Sequence, residues 1–197
     1  MSKTVQAVIL GFVVALVAGL GFGFVMGLDG ENHTGTATMG GLGAGVVAAY
    51  LFGNLAGNRR IANASSAEKS AALSRPPPPG KALIFLYREG FVAKLAGLNI
   101  MIDGKPVAQL KSPRFTCVVV PAGSHTIWAK FGGLAGAQSL MGECALDAPA
   151  DGAAAVRMTA QLTMTKGGIK LEPQADVAAV KLRLAGMPMT PPDLAEL

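Results

Sequence analysis

The sequence predicts a membrane-anchored α + β protein: a two-helix glycine-rich transmembrane hairpin, a Pro-rich linker, and a small, mostly antiparallel β-sandwich-like domain with a C-terminal helix. Three observations predict it. Residues 5–28 contain no charged side chain, and neither do residues 35–57. Small residues recur at every fourth position in both stretches, as Ala15, Gly19, Gly23 and Gly27 in the first and Gly41, Gly45, Ala49, Gly53 and Gly57 in the second. From Lys81 onward the apolar period changes from helical to two, which marks half-buried strands.

Composition agrees with this division. Only 15% of the 197 residues are charged, against about 25% in ordinary soluble domains, so part of the chain is expected to lie in lipid. The net charge of +5 is interleaved along the chain, whereas a nucleic-acid interface needs basic residues clustered on one face. Anionic headgroups suffice as a partner for so mild an excess. The expected partners are therefore the lipid bilayer and further copies of the hairpin, with no nucleic acid. Two cysteines, Cys117 and Cys144, are too few for a disulfide framework or a zinc site; a single disulfide between them stays open.

The first stretch, 24 residues long from Val5 to Leu28, gives about 36 Å of helix for a hydrocarbon core of about 30 Å. A cleaved signal peptide ending near Leu16-Val17-Ala18 is the competing reading, but the apolar run continues to Leu28 and suits a retained anchor better. Residues 29–34 form a polar turn, in which His33 reads as a solvated loop residue. The second stretch is poorer in Leu and Val. It is expected to insert as the second arm, packed on the glycine face of the first, since small residues let helix backbones approach closely in lipid; the other reading is a Gly-rich segment outside the membrane. Residues 1–58 thus form the hairpin. Lys3, Arg59 and Arg60 flank it while its turn carries no Lys or Arg, which puts both ends, and the β-domain, on the cytoplasmic side of an inner membrane.

Residues 59–80 read as a polar stalk, either a helical extension or a flexible segment, followed by Pro76 to Pro79, a polyproline spacer of about 12 Å, with an SH3 ligand as the weaker alternative. Residues 81–186 form the β-domain. Val156, Met158, Ala160, Leu162 and Met164 alternate with Arg157, Thr159, Gln161, Thr163 and Thr165. Leu98, Ile100 and Ile102 alternate likewise before Asp103-Gly104, a hairpin pair suited to two positive-φ positions, with Lys105 to Lys111 returning. Phe115, Cys117 and Val119 precede a turn at Pro121 to Ser124, and His125, Ile127, Ala129 and Phe131 follow it. Gly167-Gly168 reads as another hairpin turn, before a short strand from Ile169 to Glu172. Pro173 can occupy the first turn of a helix whose apolar face is Val177, Val180 and Leu184, with Gly186 as its stop. Residues 187–197, with three prolines, read as a loose tail.

The run Lys81-Ala-Leu-Ile-Phe-Leu-Tyr-Arg88, the hairpin Ile102-Asp103-Gly104-Lys105-Pro106-Val107 and the turn Val120-Pro121-Ala122-Gly123-Ser124-His125-Thr126-Ile127 resemble bacterial small β-domains of unknown function found on lipoproteins and membrane-anchored proteins, similar to the PEGA type. The resemblance spans roughly residues 81–184. It implies a compact β-sandwich-like fold, an envelope protein as a partner and a periplasmic, envelope location, which conflicts with the charge rule, and it implies no activity. The chain lacks a lipobox cysteine near its start.

No catalytic, cofactor or metal constellation is recognisable. His125 shares a face with Ile127 and Phe131 and reads as a hydrogen-bonded core or rim residue; Cys117 reads as a small buried hydrophobe. The loop Gly132 to Gly136 lacks the Lys-Ser/Thr of a phosphate cradle. Trp128, with Thr126 and Lys130 on the same outward parity, reads either as part of an interface with a second sheet or, together with Lys130, as a candidate binding surface for a partner or the membrane interface. The functional expectation is a non-enzymatic bacterial membrane protein presenting a β-domain for binding or envelope scaffolding, its hairpins able to oligomerise. A subunit of a membrane pore or transport-accessory assembly is the alternative.

Overall fold

The computed structural model describes residues 3–26, 34–55, 57–162 and 167–197. They fall into two compact units, essentially residues 1–57 and 58–197.

The first unit is a pair of helices, α1 (Lys3–Met26) and α2 (Thr34–Leu55), packed antiparallel through small residues. A Cβ placed on Gly11 would lie 2.6 Å from that of Ala49, one on Gly41 would lie 2.6 Å from the Cα of Gly19, and one on Gly45 would overlap Ala15. Gly41 and Gly45 are therefore required by close approach, while Gly21 and Gly43 have open space beside them. Gly53 is buried, Ala15, Gly19, Ala49 and Gly57 are half-buried, Gly23 lies within α1, and Gly27 and His33 fall outside the described residues.

The expectation of a membrane-spanning hairpin is corrected here. No helix among the described residues is long and apolar enough to cross a membrane. For α2 the physical reason lies in composition, since Gly, Thr and Asn fill much of that helix. Such residues add helix length with little apolar surface. That finding weakens the expected location in a bacterial inner membrane.

The second unit contains two four-stranded sheets. One has the order β4-β1-β7-β8, from β1 (Lys81–Glu89), β4 (Arg114–Pro121), β7 (Ala153–Leu162) and β8 (Gly167–Gln174); the other has the order β3-β2-β5-β6, from β2 (Leu98–Ile102), β3 (Lys105–Leu110), β5 (Gly123–Phe131) and β6 (Gly142–Ala148). Every pairing is antiparallel except β1 with β7, where Phe85 lies opposite Ala155 and Tyr87 opposite Arg157. β1 is buried from Ala82 to Arg88, a continuous run that only a strand covered on both faces can have. Its odd positions Leu83, Phe85 and Tyr87 join Phe115, Cys117 and Val119 of β4 in a core closed by helices α3 (Ser66–Ser74) and α5 (Val177–Ala185) through Ala72, Val180 and Leu184. Its even side turns to the second sheet, where the guanidinium of Arg88 lies 5.0 Å from the ring centre of Phe131. The unit is thus helix layer, sheet, sheet.

Several local expectations need revision. Of the two readings of the stalk, Ser66–Ser74 take the helical one as α3, begun by a capping box in which Ser65 and Glu68 exchange hydrogen bonds, and fastened by Lys69 Nζ to the carbonyl of Ala185 at 2.8 Å. The tail is tied down as well. Thr190 N–H donates to Phe115 at 2.8 Å, Val119 N–H to Ala195 at 3.0 Å and Leu197 N–H to Val119 at 3.0 Å. It covers the outer edge of β4, while Pro188, Pro191 and Pro192 interrupt any regular ladder because proline offers no N–H.

Gly167 and Gly168 are the first residues of β8, opposite Leu162 and Gln161, so the turn itself lies outside the described residues. Pro173 belongs to β8, and α5 begins later, where the Asp176 side chain caps Ala179 N–H. A short helix α4 (Gly133–Gln138) occupies the Gly-rich loop. Cys117 and Cys144 are both free.

Candidate functional site

The first group of chemical interest sits at the β2–β3 turn. Asp103 and Gly104 both have positive φ, 50° and 78°, the geometry that the Asp-Gly pair favours. This aims the Asp103 carboxylate at β5, where Oδ2 meets His125 Nδ1 at 2.6 Å and Oδ1 accepts the Thr126 N–H at 2.9 Å. His125 Nε2 lies 2.9 Å from the Pro121 carbonyl. Both ring nitrogens therefore face acceptors, an arrangement that suits the doubly protonated imidazolium. Burial opposes that charge, yet the bonds to Asp103 and Pro121 outweigh it, and the His125 pKa is raised. With both nitrogens engaged, His125 fastens a turn to a strand and has no free atom with which to act as a base.

Cys117 is equally committed to structure. It is buried on β4, and desolvation pushes its thiol up to about 11, far from the thiolate that a nucleophile needs. Trp128 and Lys130 stand on the outer face of β5, with Trp128 between Met101 of β2 and Glu143 of β6. Trp128 is half-buried and Lys130 exposed. The indole N–H of Trp128 is enclosed without an acceptor among the described residues.

A second group was not anticipated. Arg88, 1% exposed at the end of a run of buried strand residues, has no carboxylate partner among the described residues. Its Nη1 donates to the carbonyls of Ala96 at 2.5 Å and Leu110 at 3.0 Å, and its Nη2 to Ala93 at 2.7 Å. Desolvation lowers its pKa to about 10, so it remains charged at neutral pH. A buried, unpaired cation is costly; here the carbonyls of Ala93, Ala96 and Leu110 and the face of Phe131 offset that cost.

The loop so held, residues 90–97, is further fixed by Ser112 Oγ to the Gly90 carbonyl at 2.7 Å and by Ser112 N–H to the Lys94 carbonyl at 3.1 Å. Asn58 completes the fastening, accepting from Gly97 N–H at 2.5 Å and donating to the Leu95 carbonyl at 2.8 Å. Gly97 is required there, since a Cβ would lie 2.5 Å from the Gln109 side chain. The sequence did carry a signal for this loop: an arginine ending an apolar strand, followed by a short apolar stretch bracketed by Gly90 and Gly97.

Beside the loop lies an open depression of about 620 Å³ lined by Asn58, Arg59, Arg60, Ile61, Ala62 and Lys111. Arg59 is occupied by a bidentate pair with Asp193, at 2.5 and 2.6 Å.

Among the described residues no three His, Cys, Asp or Glu side chains converge as metal ligands. No family model matches the chain, and no curated protein matches it.

Proposed function

We propose that the protein is a non-catalytic binding and scaffolding module whose helical pair joins copies of the chain and whose β-domain makes the functional contact. The observation that carries this reading is the reversed polarity of the pair: its small residues face inward while Phe12, Leu20 and Val46 stand 69%, 68% and 70% exposed. Apolar surface on that scale marks an interaction site, and a second hairpin of the same kind matches it in length and chemistry. Joining copies multiplies the β-domain, so weak contacts gain avidity without any new contact. The commitment of His125 and Cys117 to structural roles supports a role without catalysis. The resemblance of residues 81–184 to PEGA-type β-domains supports the binding role.

The test is the mass of the full-length chain by sedimentation velocity, for the parent and for a Phe12→Lys, Val46→Lys variant. A defined oligomer that dissociates in the variant, with helicity unchanged, is expected. A parent chain that sediments as a monomer, or that is recovered as a monomer on phospholipid vesicles, would overturn the reading.

A further inference from the structure

The geometry points to the 90–97 loop and the depression beside it as a docking site for an extended, acidic peptide segment of another protein, with apolar side chains among its carboxylates. The inference deepens the binding half of the proposed function and does not depend on whether the chain self-associates.

The loop tip is apolar and open to solvent: Phe91 is 88% and Leu95 65% exposed. Exposed aromatic side chains are common on mobile loops, but this one is held in a single shape. Four polar atoms on three side chains, those of Arg88, Ser112 and Asn58, which could otherwise bond to water, are spent on the carbonyls and N–H of residues 90–97. Ala93, at its centre, has φ 51°, a conformation that costs a non-glycine residue about 1 kcal/mol or more. A loop fixed at such expense to display two apolar side chains has little ordering entropy left to lose on binding, the condition under which a small contact yields useful affinity.

The charge around the tip selects the partner. Lys94 is exposed in the loop, and its carbonyl is bonded to Ser112, which places Lys111 alongside. Lys111 and Arg60 line the depression. Arg59 is neutralised by Asp193, whereas Lys94, Lys111 and Arg60 have no carboxylate partner among the described residues. Three uncompensated cations, one in the loop and two lining the depression, complement carboxylates set among apolar side chains.

Shape favours an extended segment. Residues 58–65 have no regular secondary structure, and the backbone groups of Arg60, Ile61 and Ala62 make no hydrogen bond among the described residues. They offer main-chain donors and acceptors to a strand laid along them. Apolar anchors would seat on Phe91 and Leu95, and carboxylates would meet Lys94, Lys111 and Arg60.

The test uses the full-length chain and a fluorescein-labelled peptide in which Leu and Phe alternate with Glu, followed by anisotropy. Saturable binding is expected, weakened about tenfold or more by Phe91→Ser with Leu95→Ser, a loss of the size that an exposed anchor pair supplies. Lys94→Glu with Lys111→Glu should weaken it similarly and flatten its salt dependence. Both pairs are exposed or half-buried, and circular dichroism checks that the fold is kept. Equal affinity for a peptide with Lys in place of Glu, or unchanged binding by both variants, would overturn the proposal. So would variant-sensitive binding to phosphatidylserine vesicles with none to the peptide. Failure here with a confirmed oligomer removes the docking site alone; peptide binding by a monomeric chain removes only the self-association.

Discussion

The two units bury opposite kinds of residue. In the helical pair the buried positions include Gly11, Gly41, Gly45 and Ala48, while Phe12, Val46 and Tyr50 are exposed; in the β-domain Phe85, Tyr87 and Phe115 are at most 1% exposed. One unit is held by backbone proximity and the other by apolar burial. The β-domain therefore carries its own stability, at roughly 25 cal/mol per Å² of apolar surface removed from water. The helical pair removes little such surface at its seam and leaves its largest side chains for another surface to cover.

Breaking the β-domain takes a cavity. Phe85 lies at the centre of the core between β1, β4 and the helices, with the Lys181 ammonium 5.2 Å from its ring centre. Phe85→Ala is expected to cost about 3–5 kcal/mol, the largest effect considered for this chain. Urea denaturation followed by tryptophan fluorescence measures it, since Trp128 is the chain's single tryptophan and lies in this unit. A loss below about 1 kcal/mol would mean that the core between sheet and helices is not the source of stability.

Breaking the helical pair takes the addition of a single methyl group. Gly45→Ala puts a Cβ on top of Ala15, whereas Gly43→Ala meets nothing within 4 Å. The first is expected to cost about 1–3 kcal/mol through overpacking. The second is expected to stabilise the helix by up to about 1 kcal/mol, the propensity gain of alanine over glycine. Amide hydrogen exchange in α1 and α2 of the full-length chain reads both, and the two substitutions should move protection in opposite directions. Equal effects would show that the seam is not where these glycines act.

The same contrast sets what could be read from the sequence. The four-residue spacing of Ala15, Gly19, Gly41 and Gly45 is a local pattern, and those residues do meet at the α1–α2 seam. What solvates the outer faces is not a local property, and the membrane assignment drawn from them failed. In the β-domain, the Asp103-Gly104 turn and the alternation in β2 and β5 were legible because each is decided within a few residues. β6 was missed because its buried positions are only Gly142, Leu146 and Ala148, too weak an alternation to stand out. The tail was read as loose, and α3 was left between a helix and a flexible stalk, because their partners, Ala185, Met187, Phe115 and Val119, are distant in sequence. Arg88 was read only as the end of a strand motif; that a guanidinium could be buried by organising a loop depends on carbonyls from Ala93, Ala96 and Leu110, which only the fold brings together.

The smallest effect concerns the seam that each unit needs between its own elements, which in the β-domain is polar at one point. His125 is 7% exposed and Asp103 considerably more open, so solvent screens part of their interaction. The His125 pKa is raised, burial opposing the change and the Asp103 and Pro121 bonds prevailing. Its contribution is thus complete below the ordinary histidine value of about 6.5 and disappears as pH climbs through the raised folded value. Asp103 is shifted down, desolvation again opposing and the His125 and Thr126 bonds prevailing. Its contribution is present above the ordinary aspartate value of about 3.9 and disappears as pH falls through the lowered folded one. The pair therefore stabilises the turn most between about pH 4 and pH 6.5. His125→Gln should cost more stability at about pH 5.5 than at about pH 8.5, since glutamine does not titrate. Urea midpoints of the two proteins at each pH decide it: a cost that is the same at both would mean that the imidazole holds Asp103 as a neutral donor, and that the turn is fastened by hydrogen bonds without charge.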